Sequence, residues 1–265
     1  KGSFDVTVRF KTGTSLEDKK RISDVLYLFG LIGGLGSRSR RGWGSISITA
    51  YKGNDPTQSV PRNAEAYKEK IRQLFVNSVD ALPPFSAVSL KSRFDIWRMG
   101  HDPWVLLDDV GVELLRYRSW GIFVPRTGRH EAPPGKKAEQ NFKADHNNML
   151  AAVGGVPPTT LPDRIVFGLP HNYFFKSENA KAEILPVSDD RKRRASPLLI
   201  HIHQFSDTEY LVLQMLIPAV FLPSGDRVRI STKRLRSGCD LPATTVKWSK
   251  IHDYLDRFGK GKFYG

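Results

Sequence analysis

The sequence predicts an α+β fold built from antiparallel sheet units with helices on one face. Three observations carry the prediction. Phe4, Val6, Val8 and Phe10 alternate with polar residues, the period of a half-buried strand. Ile22, Val25, Leu26 and Phe29 recur at helical spacing directly afterwards. Two apolar runs, 198–203 and 210–220, flank Ser206-Asp207-Thr208, the pattern of a hairpin.

Taken in order, residues 4–10 read as a strand. Thr14 or Ser15 caps a helix over 16–30, with Glu17 and Asp18 in its first turn, where negative charge meets the helix dipole. Gly33 and Gly34 stop it. Ile46 and Ile48 alternate with Ser45, Ser47 and Thr49, a second strand. Strand, helix, glycine loop and strand match part of a ferredoxin-like (RNA-recognition-type) unit. Residues 54–61 form a polar turn, and Tyr67, Ile71, Leu74 and Phe75 line one side of a helix over 64–79, ended by Pro83-Pro84. Phe94 and Ile96 mark strand alternation, and 105–120 reads as a helix despite Gly111. Residues 124–162 are rich in Pro and Gly and carry Arg126, Arg129, His130, Lys136 and Lys137, with a short helix expected within 138–153. After 165–169 and the aromatic run Tyr173-Phe174-Phe175 comes a charge block at 189–194, then the hairpin. Ser224-Gly225-Asp226 turns into a strand at 228–230, and Trp248, Ile251, Leu255 and Phe258 form one face of a final helix. The expected division is 1–123, a glycine-loop unit; 124–162, a basic insertion; and 163–265, a second β-rich part.

Forty-one Lys and Arg against twenty-seven Asp and Glu give 265 residues a formal charge of +14. Such an excess favours a polyanionic partner, nucleic acid or an anionic surface. A single cysteine, Cys239, excludes an internal disulfide and a cysteine-based zinc site, and the expected compartment is the cytoplasm. No run approaches the ~18 apolar residues of a membrane span, and no signal peptide is expected.

The densest chemistry lies in Gly33-Gly34-Leu35-Gly36-Ser37-Arg38-Ser39-Arg40-Arg41-Gly42-Trp43-Gly44-Ser45, five glycines and three arginines in thirteen residues. Glycine lets another backbone come close, and guanidinium groups grip phosphate through paired hydrogen bonds. The run lacks the Gly-Lys-Ser/Thr of a phosphate loop. It also has Ser39 where a dinucleotide fingerprint needs its third glycine, and it closes a helix instead of opening one. Trp43 either stacks on a base or packs beneath the loop.

This loop resembles the glycine-rich loop of the RAMP superfamily, the repeat-associated RNA-binding proteins of CRISPR systems. With Arg38, Arg40 and Arg41 before Gly42-Trp43-Gly44, it is most similar to RAMP subunits of the type III-B (Cmr) effector complex. Phe167-Gly168-Leu169-Pro170 and Arg193-Arg194-Ala195-Ser196-Pro197-Leu198-Leu199 resemble segments of its first-numbered subunit. The resemblance implies guide RNA (crRNA), near its 3′ end, and target RNA as ligands, with other RAMP subunits as partners. It implies contacts from the loop and from Arg193 and Arg194, no cofactor and no small-molecule substrate. It also implies a RAMP portion ahead of Lys1, and a loop lying across an open sheet face.

Catalytic alternatives are few. His201 and His203, two apart in a strand, point the same way and could form an acid/base pair or two metal ligands, or simply lie on the polar face of a half-buried strand. The acid/base option would make the chain a metal-independent RAMP endoribonuclease processing precursor RNA. His101-Asp102 has the look of a metal phosphohydrolase dipeptide but lacks companions. Trp97, Trp104, Trp120, Tyr173 and Phe174 are expected in the core. A third function class is a protein that mainly docks other subunits.

Overall fold

The computed structural model describes residues 2–53, 58–75, 80–188, 193–243 and 246–258, and the backbone of 262–263. Their elements are α1 (Leu16–Ile32), α2 (Ala64–Gln73), β1 (Arg93–Gly100), α3 (Pro103–Arg118), β2 (Ile122–Val124), β3 (Arg129–Glu131) and α4 (Lys143–Gly154). A 3-10 turn at Asp163–Phe167 leads into β4 (His171–Phe175), β5 (Ala180–Val187), β6 (Leu198–Ser206) and β7 (Glu209–Leu216). The chain continues through β8 (Arg227–Thr232), β9 (Cys239–Pro242), α5 (Ser249–Asp256) and β10 (Lys262–Phe263). The result is a mixed α+β molecule whose sheets are antiparallel.

The first sheet has the order β10-β1-β7-β6, and the second β4-β5-β8-β9; β2 and β3 form a separate hairpin. Side chains alternate across the first sheet as the strand period requires. Leu211, Leu213 and Met215 pack with Phe94 and Ile96 against Tyr27 and Leu31 of α1 and Tyr67 and Ile71 of α2. On the opposite face, Ile200, Ile202 and Val212 meet Leu106, Leu107 and Val110 of α3, while Leu198 and Leu216 meet Ile251 and Leu255 of α5. Helices therefore cover both faces of this first sheet, not one, and neither of its faces is left open. The reason is the apolar character of both residue sets: leaving either in water would forgo roughly 1.5–3 kcal/mol per large side chain.

The second sheet packs Tyr173, Phe175, Ala182, Ile184, Val228 and Ile230 against Met149 and Val153 of α4. The stretch 124–162 thus contributes a helix to this core, and the first sheet draws β1 from before that stretch and β6, β7 and β10 from after it. Ser15 caps α1 as expected, accepting from the Asp18 amide; α3 begins two residues earlier than expected, with Asp102 accepting from the Trp104 amide at 2.8 Å and Pro103 opening the helix.

Two expected strands are corrected. Residues 4–10 pair with nothing among the described residues, and Phe4, Val6, Val8 and Phe10 are all exposed. Residues 45–49 are not a strand either, although they run beside one. Alternation reports an extended chain and does not say what, if anything, it pairs with.

Candidate nucleic-acid interface

The glycine–arginine loop is a closed structure standing on the end of α1. The Gly33 amide donates to Phe29 O at 2.8 Å, ending the helix. Leu35 N donates to Gly44 O at 2.8 Å and Ile46 N to Gly33 O at 3.1 Å, tying the two ends together. Within it, Ser39, Arg41 and Gly42 amides return to Gly36, Arg38 and Ser39 carbonyls, a run of tight turns. Gly42 and Gly44 adopt φ of 82° and 72°, the region that side chains avoid. A Cβ on Gly44 would stand 2.2 Å from Leu35 O, so the closure itself requires glycine.

The loop lies along β6, the edge strand, rather than across a sheet face. Arg40 O accepts from Ile200 N at 2.9 Å, Ser45 Oγ from Ile202 N at 3.0 Å, and Ser47 Oγ from Gln204 N at 2.8 Å. The outward amides of an otherwise open edge are thereby satisfied. Beneath it, His201 and His203 are 1% and 0% exposed, not on a polar face. His201 Nδ1 lies 3.1 Å from Gly33 O and its Nε2 3.3 Å from His203 Nδ1. Since Gly33 O only accepts, His201 donates through Nδ1 and accepts from His203 Nδ1–H. Both imidazoles are neutral: burial pushes His201 down to about 4, and burial together with the neighbouring His201 pushes His203 down to about 2. Their geometry is that of a support for the first carbonyl of the loop.

Three segments singled out in the sequence converge here. Arg40 Nη1 donates to Ser196 O at 2.7 Å, tying the loop to the segment 193–199. That segment pairs with 167–170 through Arg194 N to Leu169 O (2.9 Å) and Leu169 N to Arg194 O (2.8 Å). Arg194 Nη2 reaches Val220 O at 3.4 Å, while Arg193 is exposed. Asp189–Lys192 of the charge block lies outside the described residues.

Around this junction the cations lack counter-charges. Ser37, Arg38, Arg41 and Arg193 are exposed, Arg40 and Arg194 partly buried, and among the described residues no carboxylate pairs with any of these arginines. Burial holds Arg40 below its ordinary value, and burial then the Arg40 charge does the same to Arg194. Trp43 does not pack beneath the loop. It is 47% exposed and meets Trp104, 61% exposed at the start of α3, with centroids 5.8 Å apart. Trp104 and Phe174, expected in the core, are thus on the surface, whereas Tyr173 is buried.

Sequence reasoning passed over Arg118 and Arg164. Arg118 lies at the end of α3 with its guanidinium 4.5 Å above the Phe167 ring, and Arg164 sits 5.3 Å over Tyr173. Burial, with the charges of Arg164 and Arg41, pushes Arg118 down to about 9, still protonated at neutral pH. The available signal was negative: neither arginine has an acidic residue at helical spacing, whereas Arg116 has Glu113 and bonds it at 2.7 Å.

The remaining candidates are structural. His101 Nδ1 bonds Thr208 O at 2.7 Å, Asp102 caps α3, and Cys239 Sγ lies 3.3 Å from Pro158 O. Among the described residues no group of three or more His, Cys, Asp or Glu could hold a metal ion, and no helix is long and apolar enough to cross a membrane. Searches against protein-family models, curated proteins and solved structures return no match.

Proposed function

We propose that this chain binds single-stranded RNA along the junction of its glycine–arginine loop with α3 and β6, as a RAMP subunit of a type III-B CRISPR effector complex. The observation that carries the reading is a group of arginines that have no carboxylate partner among the described residues: Arg38, Arg40 and Arg41 in the loop that carries Trp43, which meets Trp104, and Arg193 and Arg194 in the segment to which Arg40 is bonded. Phosphates supply the missing counter-charge, and exposed indoles offer faces on which bases stack. The order β10-β1-β7-β6, with α3 and α5 on one face, also supports a ferredoxin-like reading. Strand–helix–strand–strand–helix–strand is the succession if the second sheet is taken as insertions. The guide RNA is the ligand this reading favours, with sequence chosen by base pairing and the protein reading backbone.

The test is end-labelled single-stranded RNA titrated across a salt series, run on native and denaturing gels. Arg38→Ala/Arg41→Ala is the informative variant, because Arg40 also holds the loop to Ser196. Intact RNA, a steep salt dependence and a salt slope reduced by about two in the variant are expected, one for each phosphate contact removed. Equal binding by both proteins would remove the loop from the interface. Discrete cleavage products would instead establish a ribonuclease, a role that the enclosed, neutral His201 and His203 do not favour.

A further inference from the structure

Next to the loop, a cleft opens between the end of α3, the β2–β3 hairpin, α4 and β4. Its volume is about 410 Å³, within the ~300–1,000 Å³ typical of ligand sites. Trp120, His146, Arg164, Tyr173 and Phe174 line it, and a narrower extension shares Trp120, His146, Arg164 and Tyr173 and ends at Arg118. Trp120 stacks on His146 with centroids 3.8 Å apart and planes 13° apart, and Phe174 is 72% exposed on its wall.

The polar groups are what call for a ligand. Arg118 Nε and Arg164 Nε are enclosed without a hydrogen-bond partner, and no carboxylate pairs with either guanidinium among the described residues. His171 Nε2, buried beside them, is also unpartnered. Glu131, the carboxylate lining the cleft, is already engaged by Thr127, Arg129 and the Gly135 amide. The guanidinium faces are occupied by Phe167 and Tyr173 while their N–H edges are left without acceptors, an arrangement suited to a phosphate.

We infer that this cleft receives one unstacked nucleotide of the bound RNA, its phosphate on Arg118 and Arg164 and its base among Trp120 and Phe174. The inference rests on the RNA-binding reading above. Continuity argues for a single ligand: Arg118 lies over Phe167, whose segment pairs at Leu169 with Arg194, and Arg40 of the loop bonds Ser196 just beyond. RNA recognition commonly takes bases out of the stack onto aromatic side chains.

The experiment uses Arg118→Met/Arg164→Met, Phe174→Ala and the Arg38→Ala/Arg41→Ala loop variant of the full chain, with single-stranded RNA carrying 4-thiouridine for crosslinking. Removing two buried charges without counter-ions should leave the melting temperature equal to or above that of the parent. RNA affinity should nevertheless fall by tenfold or more, and the crosslink to Trp120 or Phe174 should disappear. Phe174→Ala, at an exposed side chain, should weaken binding severalfold without a change in melting and serves if the double variant fails to fold. Undiminished affinity in both cleft variants, with loss in the loop variant, would overturn the cleft and leave the loop reading standing. Absence of RNA binding by the parent chain would overturn both.

Discussion

Gly44 illustrates how little freedom the loop has at single positions. Its φ of 72° and the 2.2 Å approach of Leu35 O to any Cβ act together, whereas Gly36, at φ 91°, faces open space. Gly36→Ala should therefore cost only the conformational term, about 1 kcal/mol. Gly44→Ala must also break the Leu35–Gly44 bond that closes the loop, for a loss of about 2 kcal/mol or more. Urea unfolding of the two variants checks this, and equal losses would show that closure is not what demands glycine at position 44. The arginines divide on the same scale. The Arg40 side chain is spent partly on Ser196, whereas the side chains of Arg38 and Arg41 make no hydrogen bond among the described residues.

At the scale of elements, the loop protects an edge. Ser45→Ala/Ser47→Ala would leave Ile202 N and Gln204 N without their acceptors, each at a cost of about 1–3 kcal/mol if water does not replace them. Hydrogen exchange at Ile202 and Gln204 should accelerate in the double variant while the β6–β7 amides stay protected; unchanged exchange would mean the serines do not cap the edge. This pairing also explains what the sequence disclosed and what it hid. Helices α1, α3 and α5 and the β6–β7 hairpin were legible because period and turn chemistry are local signals. The alternation at 45–49 correctly implied an extended chain, but its partner β6 lies more than 150 residues away and is met through serine side chains. Alternation at 4–10 carried the same information, yet that segment pairs with no described residue. The candidate site followed the same rule. Its loop declared itself by composition, whereas Arg118 and Arg164 belong to ordinary elements and become a site only where α3 and the 3-10 turn meet.

For the whole molecule, the buried histidines set the response to acid. Burial lowers His201 to about 4, His203 to about 2 and His171 to about 3, the last also through Arg164 and Arg118. In the unfolded chain each titrates near its ordinary value of about 6.5. Below that value the unfolded state takes up a proton at each site while the native state does not, so stability falls as pH falls. With three such sites the slope approaches about 4 kcal/mol per pH unit below about pH 6, a large part of a typical stability of ~5–15 kcal/mol. Asp145 works in the opposite sense, because burial raises it and its protonation favours the native state, but it acts in the carboxylate range below the histidine window. The chain should accordingly be stable at pH 7 and unfold cooperatively near about pH 5, and the proposed RNA binding should be lost at that point although every arginine keeps its charge. Melting temperature measured from pH 7.5 down to 4.5 tests this, with His171→Phe as the control that should reduce the slope by one proton. A melting temperature constant across that range would mean that the histidines are not enclosed as described, and with them the support under the loop.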